Sequence, residues 1–126
     1  MKNNVILIVD DEPIILKLYS QTFKDAGFEV LTAANGTEGL KLAQEKHPDL
    51  ILLDIKMPDL DGIQVFLKLK EDPKTTDIKV VFLSAFGDPN FIETDVAIVK
   101  EVGATDFIRK GISLDELVER AKKYLK

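Results

Sequence analysis

Short apolar segments alternate along the chain with longer segments that have helical periodicity. Three of the short segments, at 5–9, 50–53 and 80–83, are apolar without alternation, which is typical of strands buried on both faces of a sheet. Because strands and helices alternate, the pattern predicts a parallel sheet that is covered by helices on both faces. The strands that we predict are residues 5–9, 28–32, 50–53, 79–83 and 105–108.

The segments between these strands carry signals for the ends of helices. Gly27 is placed to end the first helix, since glycine is the usual residue just after a helix. Asn35 with Glu38, and Ser113 with Glu116, have the spacing of capping boxes before the second and fifth helices. The fifth helix is amphipathic, with apolar residues at helical spacing: Leu114, Leu117, Val118, Ala121 and Leu125.

Length and composition narrow the classes of protein. The 126 residues, 45% of them apolar, suit a single domain over 1–126, and no apolar run approaches the roughly 20 residues that cross a bilayer. We therefore expect a cytoplasmic protein that does not insert into membranes. The chain has no cysteine, which excludes disulfides and thiolate catalysis. Its net charge of −5 argues against direct contact with nucleic acid.

Polar residues follow the predicted strands where a functional site is expected. Asp10 and Asp11 follow the first strand, Asp54 the third, Ser84 the fourth, and Lys110 comes soon after the fifth. The carboxyl ends of parallel strands meet at one edge of a sheet, so these side chains should share a pocket. Three ionised carboxylates would repel each other there unless a cation binds, and Mg²⁺ is the cation that suits a few carboxylates and waters.

A carboxylate beside Mg²⁺ can attack phosphorus and form an aspartyl phosphate. Asp54 is the expected nucleophile because it stands alone at the end of a central strand. Lys110 would neutralise charge on the transferring oxygens, and the Ser84 hydroxyl would hydrogen-bond one of them.

Together these residues resemble the receiver domain of two-component response regulators, in particular chemotaxis-type regulators. The matching segments are 6–12, 33–36, 49–62, 84–85 and 103–110. The resemblance implies an α/β fold, a single doubly wound parallel five-stranded sheet with strand order 2-1-3-4-5, the flavodoxin-like (β/α)5 arrangement.

The resemblance also implies roles for individual residues. Asp54 would take a phosphoryl group from a phosphohistidine on a sensor histidine kinase or a histidine phosphotransfer protein. Asp11, Asp54 and the backbone carbonyl of Lys56 would bind Mg²⁺ directly, and Asp10 would act through a bound water. The protein would catalyse its own phosphorylation and dephosphorylation but turn over no separate substrate.

Phosphorylation would be converted into a surface change by two switch residues. Ser84 would turn towards the phosphoryl group and Phe107 would move inward behind it. The effector protein would bind a face formed by helix four, strand five and helix five, and the chain would be a monomer or a weak phosphorylation-dependent dimer. Helix four, predicted within 91–102, carries an apolar arc wider than one buried stripe requires.

Two departures from the family pattern fall close to the switch. Gly111 follows Lys110 where the family usually has proline, and the segment between Ser84 and Gly103 is longer than usual, with a lengthened loop predicted at 86–90. The alternative function is a pseudo-receiver, a binding module of the same fold that is not phosphorylated. It predicts loss of an acid or of Lys110, and neither is lost.

Overall fold

The computed structural model of the chain describes residues 4–84, 101 and 103–125. Within them a five-stranded sheet has the order β2-β1-β3-β4-β5, with every neighbouring pair parallel. The strands are β1 (Val5–Val9), β2 (Glu29–Ala33), β3 (Leu50–Asp54), β4 (Lys79–Ser84) and β5 (Asp106–Arg109). The helices of this part of the chain are α1 (Pro13–Asp25), α2 (Gly36–Lys46), α3 (Gly62–Glu71) and α4 (Leu114–Tyr124).

The predicted fold class and strand order are confirmed. Each predicted strand overlaps an observed one, with ends that agree within one residue. The fifth predicted helix is α4 here, whereas the predicted helix within 91–102 and the predicted loop at 86–90 fall outside the described residues, apart from residue 101, which is helical. None of the described helices is long and apolar enough to span a membrane.

The two faces of the sheet pack against different helices, which is the doubly wound arrangement. One face, with Leu7, Leu53 and Phe82, packs against α2 and α3, and the other, with Ile8 and Leu52, packs against α1 and α4. Burial of each large apolar side chain contributes roughly 1.5–3 kcal/mol to folding. The central strands β1, β3 and β4 are apolar on both faces because helices cover both, as the sequence pattern predicted.

Side chains cap the starts of the helices α2, α3 and α4. The Asn35 side chain accepts a hydrogen bond from the Glu38 amide at 2.9 Å, and Ser113 accepts one from the Glu116 amide at 3.1 Å, so both predicted caps are confirmed. A complete reciprocal capping box occurs at α3, where Asp61 is the cap. These caps fix the loops that precede α2, α3 and α4, and Asp54 and Lys110 lie beside two of those loops.

Hydrogen bonds bring the ends of the strands to one edge. The Asp10 amide donates to the Ala33 carbonyl at 3.1 Å, and the Lys110 amide donates to the Ser84 carbonyl at 2.8 Å. Asp54 is in register with Leu83, one residue before Ser84. The polar residues that follow these strands therefore lie close together.

Candidate functional site

The loop after β1 supplies three adjacent acids with different exposure. Asp10 is completely buried, and its Oδ1 accepts a hydrogen bond from the Glu12 amide at 2.9 Å. Asp11 and Glu12 are exposed at the rim. The turn therefore holds one carboxylate inside the protein and leaves two at the mouth of the site.

Asp54 ends the central strand β3 and is only 4% exposed. The backbone around it is closely packed, since the Gly62 amide donates to the Ile55 carbonyl at 2.6 Å. A Cβ atom on Gly62 would lie 2.3 Å from the Asp54 carbonyl oxygen, closer than real Cβ contacts. Glycine at 62 thus allows α3 to start directly against the backbone of Asp54.

Lys110 reaches into the site from the turn after β5 and is 5% exposed. Its Nζ lies 2.8 Å from Asp10 Oδ2, 2.9 Å from Glu12 Oε1 and 3.4 Å from Asp54 Oδ2. The next residue, Gly111, has a φ of 102°, which glycine adopts readily and other residues rarely do. Glycine at position 111 is therefore compatible with a lysine placed among the acids.

Burial and mutual repulsion shift the ionisation of these groups. Burial, and then the charge of Asp10, raise the pKa of Asp54 to about 7, although Lys110 opposes the shift. Burial also raises the pKa of Asp10. For Lys110, burial disfavours the ammonium, but the adjacent carboxylates of Asp10 and Glu12 outweigh it and raise the pKa of Lys110 above the ordinary value. The lysine is therefore charged at neutral pH, while Asp54 is only partly ionised.

The carboxylates have a spacing that suits a hard divalent cation. One oxygen each from Asp10, Glu12 and Asp54 lies within 4.8 Å of the other two. Carboxylate oxygens are the ligands that Mg²⁺ and Ca²⁺ take, and the small number of protein oxygens here fits Mg²⁺ with its retained waters. The donor set therefore fits the predicted Mg²⁺.

Glu12 belongs to this cluster but was not among the metal residues predicted from sequence. Its only signal was its position directly after two acids. Asp11, a predicted ligand, lies beside the cluster, and its side chain is close enough to contribute to the raised pKa of Asp54. Lys56, whose carbonyl is the other predicted ligand, lies in the exposed loop two residues beyond Asp54.

Ser84 ends β4 next to Asp54 and is 1% exposed. Its hydroxyl is buried without a hydrogen-bond partner among the described residues. Buried hydroxyls normally have partners, so this one is available to a bound group. A phosphoryl oxygen beside Asp54 is a group of that kind.

Phe107, the other predicted switch residue, lies on β5 in register with Phe82 and packs partly buried against the core. Its amide bonds to the Asp106 side chain at 2.8 Å, and its carbonyl accepts from Arg120 at 3.0 Å. The structure thus places Phe107 two strands away from Asp54, with β4 between them, and side chains of β5 and α4 hold its backbone.

Known proteins resemble this chain over nearly its whole length. The family model described as "Response regulator receiver domain" matches residues 6–122. Sporulation initiation phosphotransferase F of Bacillus subtilis is 36% identical over 125 residues, covering 99% of this chain and 96% of that protein. Polar-differentiation response regulator DivK of Brucella ovis is 34% identical over 120 residues, covering 95% and 94%. The crystal structure of the Vibrio cholerae chemotaxis protein CheY4 matches with a TM-score of 0.89 and 28% identity, covering 98% and 100%.

Proposed function

The chain belongs to the response regulator receiver family, and from that premise we propose that residues 1–126 form one receiver domain in which Asp54 is the phosphoacceptor. Members of this family are phosphorylation-dependent signalling switches of two-component systems and bind Mg²⁺ at an acidic pocket. They are signalling modules rather than enzymes that turn over a separate substrate.

The contact of Lys110 with Asp54 is the observation that carries this proposal. A carboxylate oxygen of Asp54 attacks phosphorus in line with the departing imidazole nitrogen of a phosphohistidine, and an acyl phosphate forms. The Lys110 ammonium, 3.4 Å from Asp54 Oδ2, neutralises charge on the transferring oxygens. The Ser84 hydroxyl, which has no hydrogen-bond partner within the described part of the chain, donates a hydrogen bond to one of those oxygens.

Mg²⁺ would offset the charge of the acids and orient the phosphoryl oxygens. Asp11, Asp54 and the Lys56 carbonyl are the proposed direct ligands, with Asp10 and Glu12 acting through bound water. Four carboxylates face one ammonium in this site, so the protein alone leaves negative charge to be neutralised. A bound cation would also favour the ionised, nucleophilic form of Asp54, whose pKa is about 7 without it.

The residues proposed for phosphorylation could also support hydrolysis of the acyl phosphate. Water can attack the acyl phosphate at the same phosphorus, with the same residues stabilising the charge that develops. We propose that the protein itself catalyses both its phosphorylation and its dephosphorylation.

We propose two kinds of partner, a phosphoryl donor and an effector that responds to phosphorylation. The donor is a sensor histidine kinase or a histidine phosphotransfer protein, and the name of the Bacillus subtilis relative supports a role in phosphotransfer. Ser84 and Phe107 relay phosphorylation to the face of β5, α4 and the helix predicted within 91–102, where an effector binds. The proposed protein is cytoplasmic and is a monomer or a weak phosphorylation-dependent dimer.

Labelling with acetyl phosphate tests the phosphoacceptor. Wild type should be labelled in Mg²⁺ and unlabelled in chelator, and Asp54→Asn should abolish labelling. Asp49→Asn is the matched control. Asp49 directly precedes the first residue of β3, at the end of the strand opposite Asp54, so this variant should be labelled like wild type. Wild type that takes no phosphoryl group from acetyl phosphate or a phosphohistidine donor would favour the pseudo-receiver alternative.

A further inference from the structure

Asp59, in the loop after β3, binds the first turn of a helix that begins elsewhere in the chain. Its Oδ1 accepts a hydrogen bond from the Gly36 amide at 3.1 Å. Its Oδ2 accepts from the Thr37 amide at 3.1 Å and from the Thr37 hydroxyl at 2.8 Å. The first amides of a helix have no partner within the helix, so a carboxylate there is a strong acceptor. The loop that follows Asp54 is thereby tied to α2.

Close packing at Gly36 makes this attachment tight. A Cβ atom at Gly36 would lie 2.8 Å from Val65 Cγ2 and 2.9 Å from Leu60 Cβ. Any larger residue would therefore push the first turn of α2 away from the loop that carries Asp59. Gly36 allows α2 to pack closely against the loop, and Asp59 hydrogen-bonds to the same turn of α2.

The same turn of α2 is also attached to the loop that carries Asp10. β2 ends at Ala33, three residues before α2 begins, and the Ala33 carbonyl accepts from the Asp10 amide at 3.1 Å. Gly39 of α2 lies against Val9, where an added Cβ would be 2.9 Å from the valine methyl groups. The start of α2 thus stands between the two loops that carry the acids.

We propose that Asp59 is a positioning residue for the cation site, which holds the loop of Asp54 and Lys56 at a fixed separation from Asp10 and Asp11. The role rests on the Mg²⁺ site proposed above. Asp59 touches neither the cation nor the phosphoryl group, and it acts through the start of α2. Hydrogen bonds from the Leu60 amide, and then from Gly36 and Thr37, hold the pKa of Asp59 well below its usual range, so the carboxylate is ionised at neutral pH.

Asp61 offers a matched control in the same loop. It accepts from the Gln64 amide at 2.9 Å and caps α3, with no hydrogen bond to α2 among those of the described residues. Removing either carboxylate frees helix amides and lowers stability. Only removal of Asp59 should separate the two acidic loops.

The test measures the Mg²⁺ dissociation constant of the full chain by calorimetry, at a temperature where thermal melts show every variant folded. Asp59→Ala should raise the constant by about tenfold, as is typical when support of ligands is lost. Asp59→Asn, which keeps an acceptor oxygen, should lie between wild type and Ala and serves if the Ala variant does not fold. Asp61→Ala should change the constant by less than about threefold. Amide exchange at Gly36 and Thr37 should quicken in Asp59→Ala.

The possible outcomes distinguish a failure of the positioning role of Asp59 from a failure of the Mg²⁺ site. If wild type binds Mg²⁺ and both Asp59 variants bind it equally well, the positioning role is overturned and the site stands. If Asp61→Ala weakens binding as much as Asp59→Ala, general loosening of the loop replaces the specific role. If wild type binds no Mg²⁺, the metal site fails and the role fails with it.

Discussion

The ammonium of Lys110 lies 2.8 Å from Asp10 Oδ2, and the Asp10 carboxylate is completely buried. The same ammonium is 3.4 Å from Asp54 Oδ2, so the Lys110 side chain contacts both the buried Asp10 and Asp54, the proposed nucleophile. Lys110 therefore contributes to folding and, in our proposal, to phosphoryl transfer.

Replacing Lys110 with alanine should separate these two contributions. Asp10 would be left buried without its partner, and we expect the free energy of unfolding to fall by about 3 kcal/mol in metal-free urea titrations. Added Mg²⁺ should restore part of the stability but not the phosphorylation rate. Lys123→Ala, at an exposed position on α4, should leave both unchanged. A Lys110→Ala protein phosphorylated at the wild-type rate would contradict the proposed role.

The stability of the metal-free protein should depend on pH through Asp54. Its pKa is about 7 when folded against 3.8 as the ordinary value, so the folded state keeps a proton that the unfolded chain releases. The free energy of unfolding should therefore decrease as pH rises from about 4 to about 7. Asp54→Asn should remove much of this slope and be more stable at pH 8 by roughly 2–4 kcal/mol. Chemical denaturation across the pH range checks this, and an unchanged slope would refute it.

Ser84→Ala should affect function more than stability. Its hydroxyl has no partner among the described residues, so its removal should change the unfolding free energy by less than about 1 kcal/mol while slowing phosphorylation. Thr75→Val is a control that should lower stability without changing the phosphorylation rate. The Thr75 hydroxyl donates to the Leu69 carbonyl at 2.7 Å, and its loss should cost about 1–2 kcal/mol without slowing phosphorylation. Equal effects of both variants on phosphorylation would argue against a role for Ser84.

Gly62→Ala should damage the site as well as the fold. The new methyl group would meet backbone atoms of Asp54 and Ile55, which can move only by shifting the phosphoacceptor. We expect a loss of more than about 2 kcal/mol and slower phosphorylation. Gly27→Ala meets nothing within 4 Å and is strained only by its φ of 96°, which costs about 1–2 kcal/mol. The Gly27→Ala protein should be phosphorylated at the wild-type rate. A wild-type rate for Gly62→Ala would contradict the prediction.

The sequence predicted the sheet well because its signals are local. Segments such as 50–53 are apolar throughout, and the polar residue that follows each strand marks the edge where the site forms. Asp54, Lys110 and Ser84 could be placed together on this ground alone, because parallel strands end at one edge. The caps at Asn35 and Ser113 could likewise be predicted, since a capping residue and its partner lie within four positions of each other.

Contacts between distant loops could not be predicted in the same way. Asp59 and Gly36 are 23 positions apart, and neither residue signals the other. The pairing of Glu12 with Lys110 spans 98 positions, so its membership of the acidic cluster appears only in three dimensions. Periodicity describes which face of an element is buried, but it does not describe how two loops meet.

The most direct measurement of the central claim is the location of the phosphoryl group. Protein phosphorylated by acetyl phosphate in Mg²⁺ would be reduced with borohydride, which converts an acyl phosphate to an alcohol, and digested for tandem mass spectrometry. We predict a single modified residue, Asp54, that is absent from protein treated in chelator. Modification at Asp10 or Asp11 with Asp54 untouched, or no modification with any donor, would contradict the account.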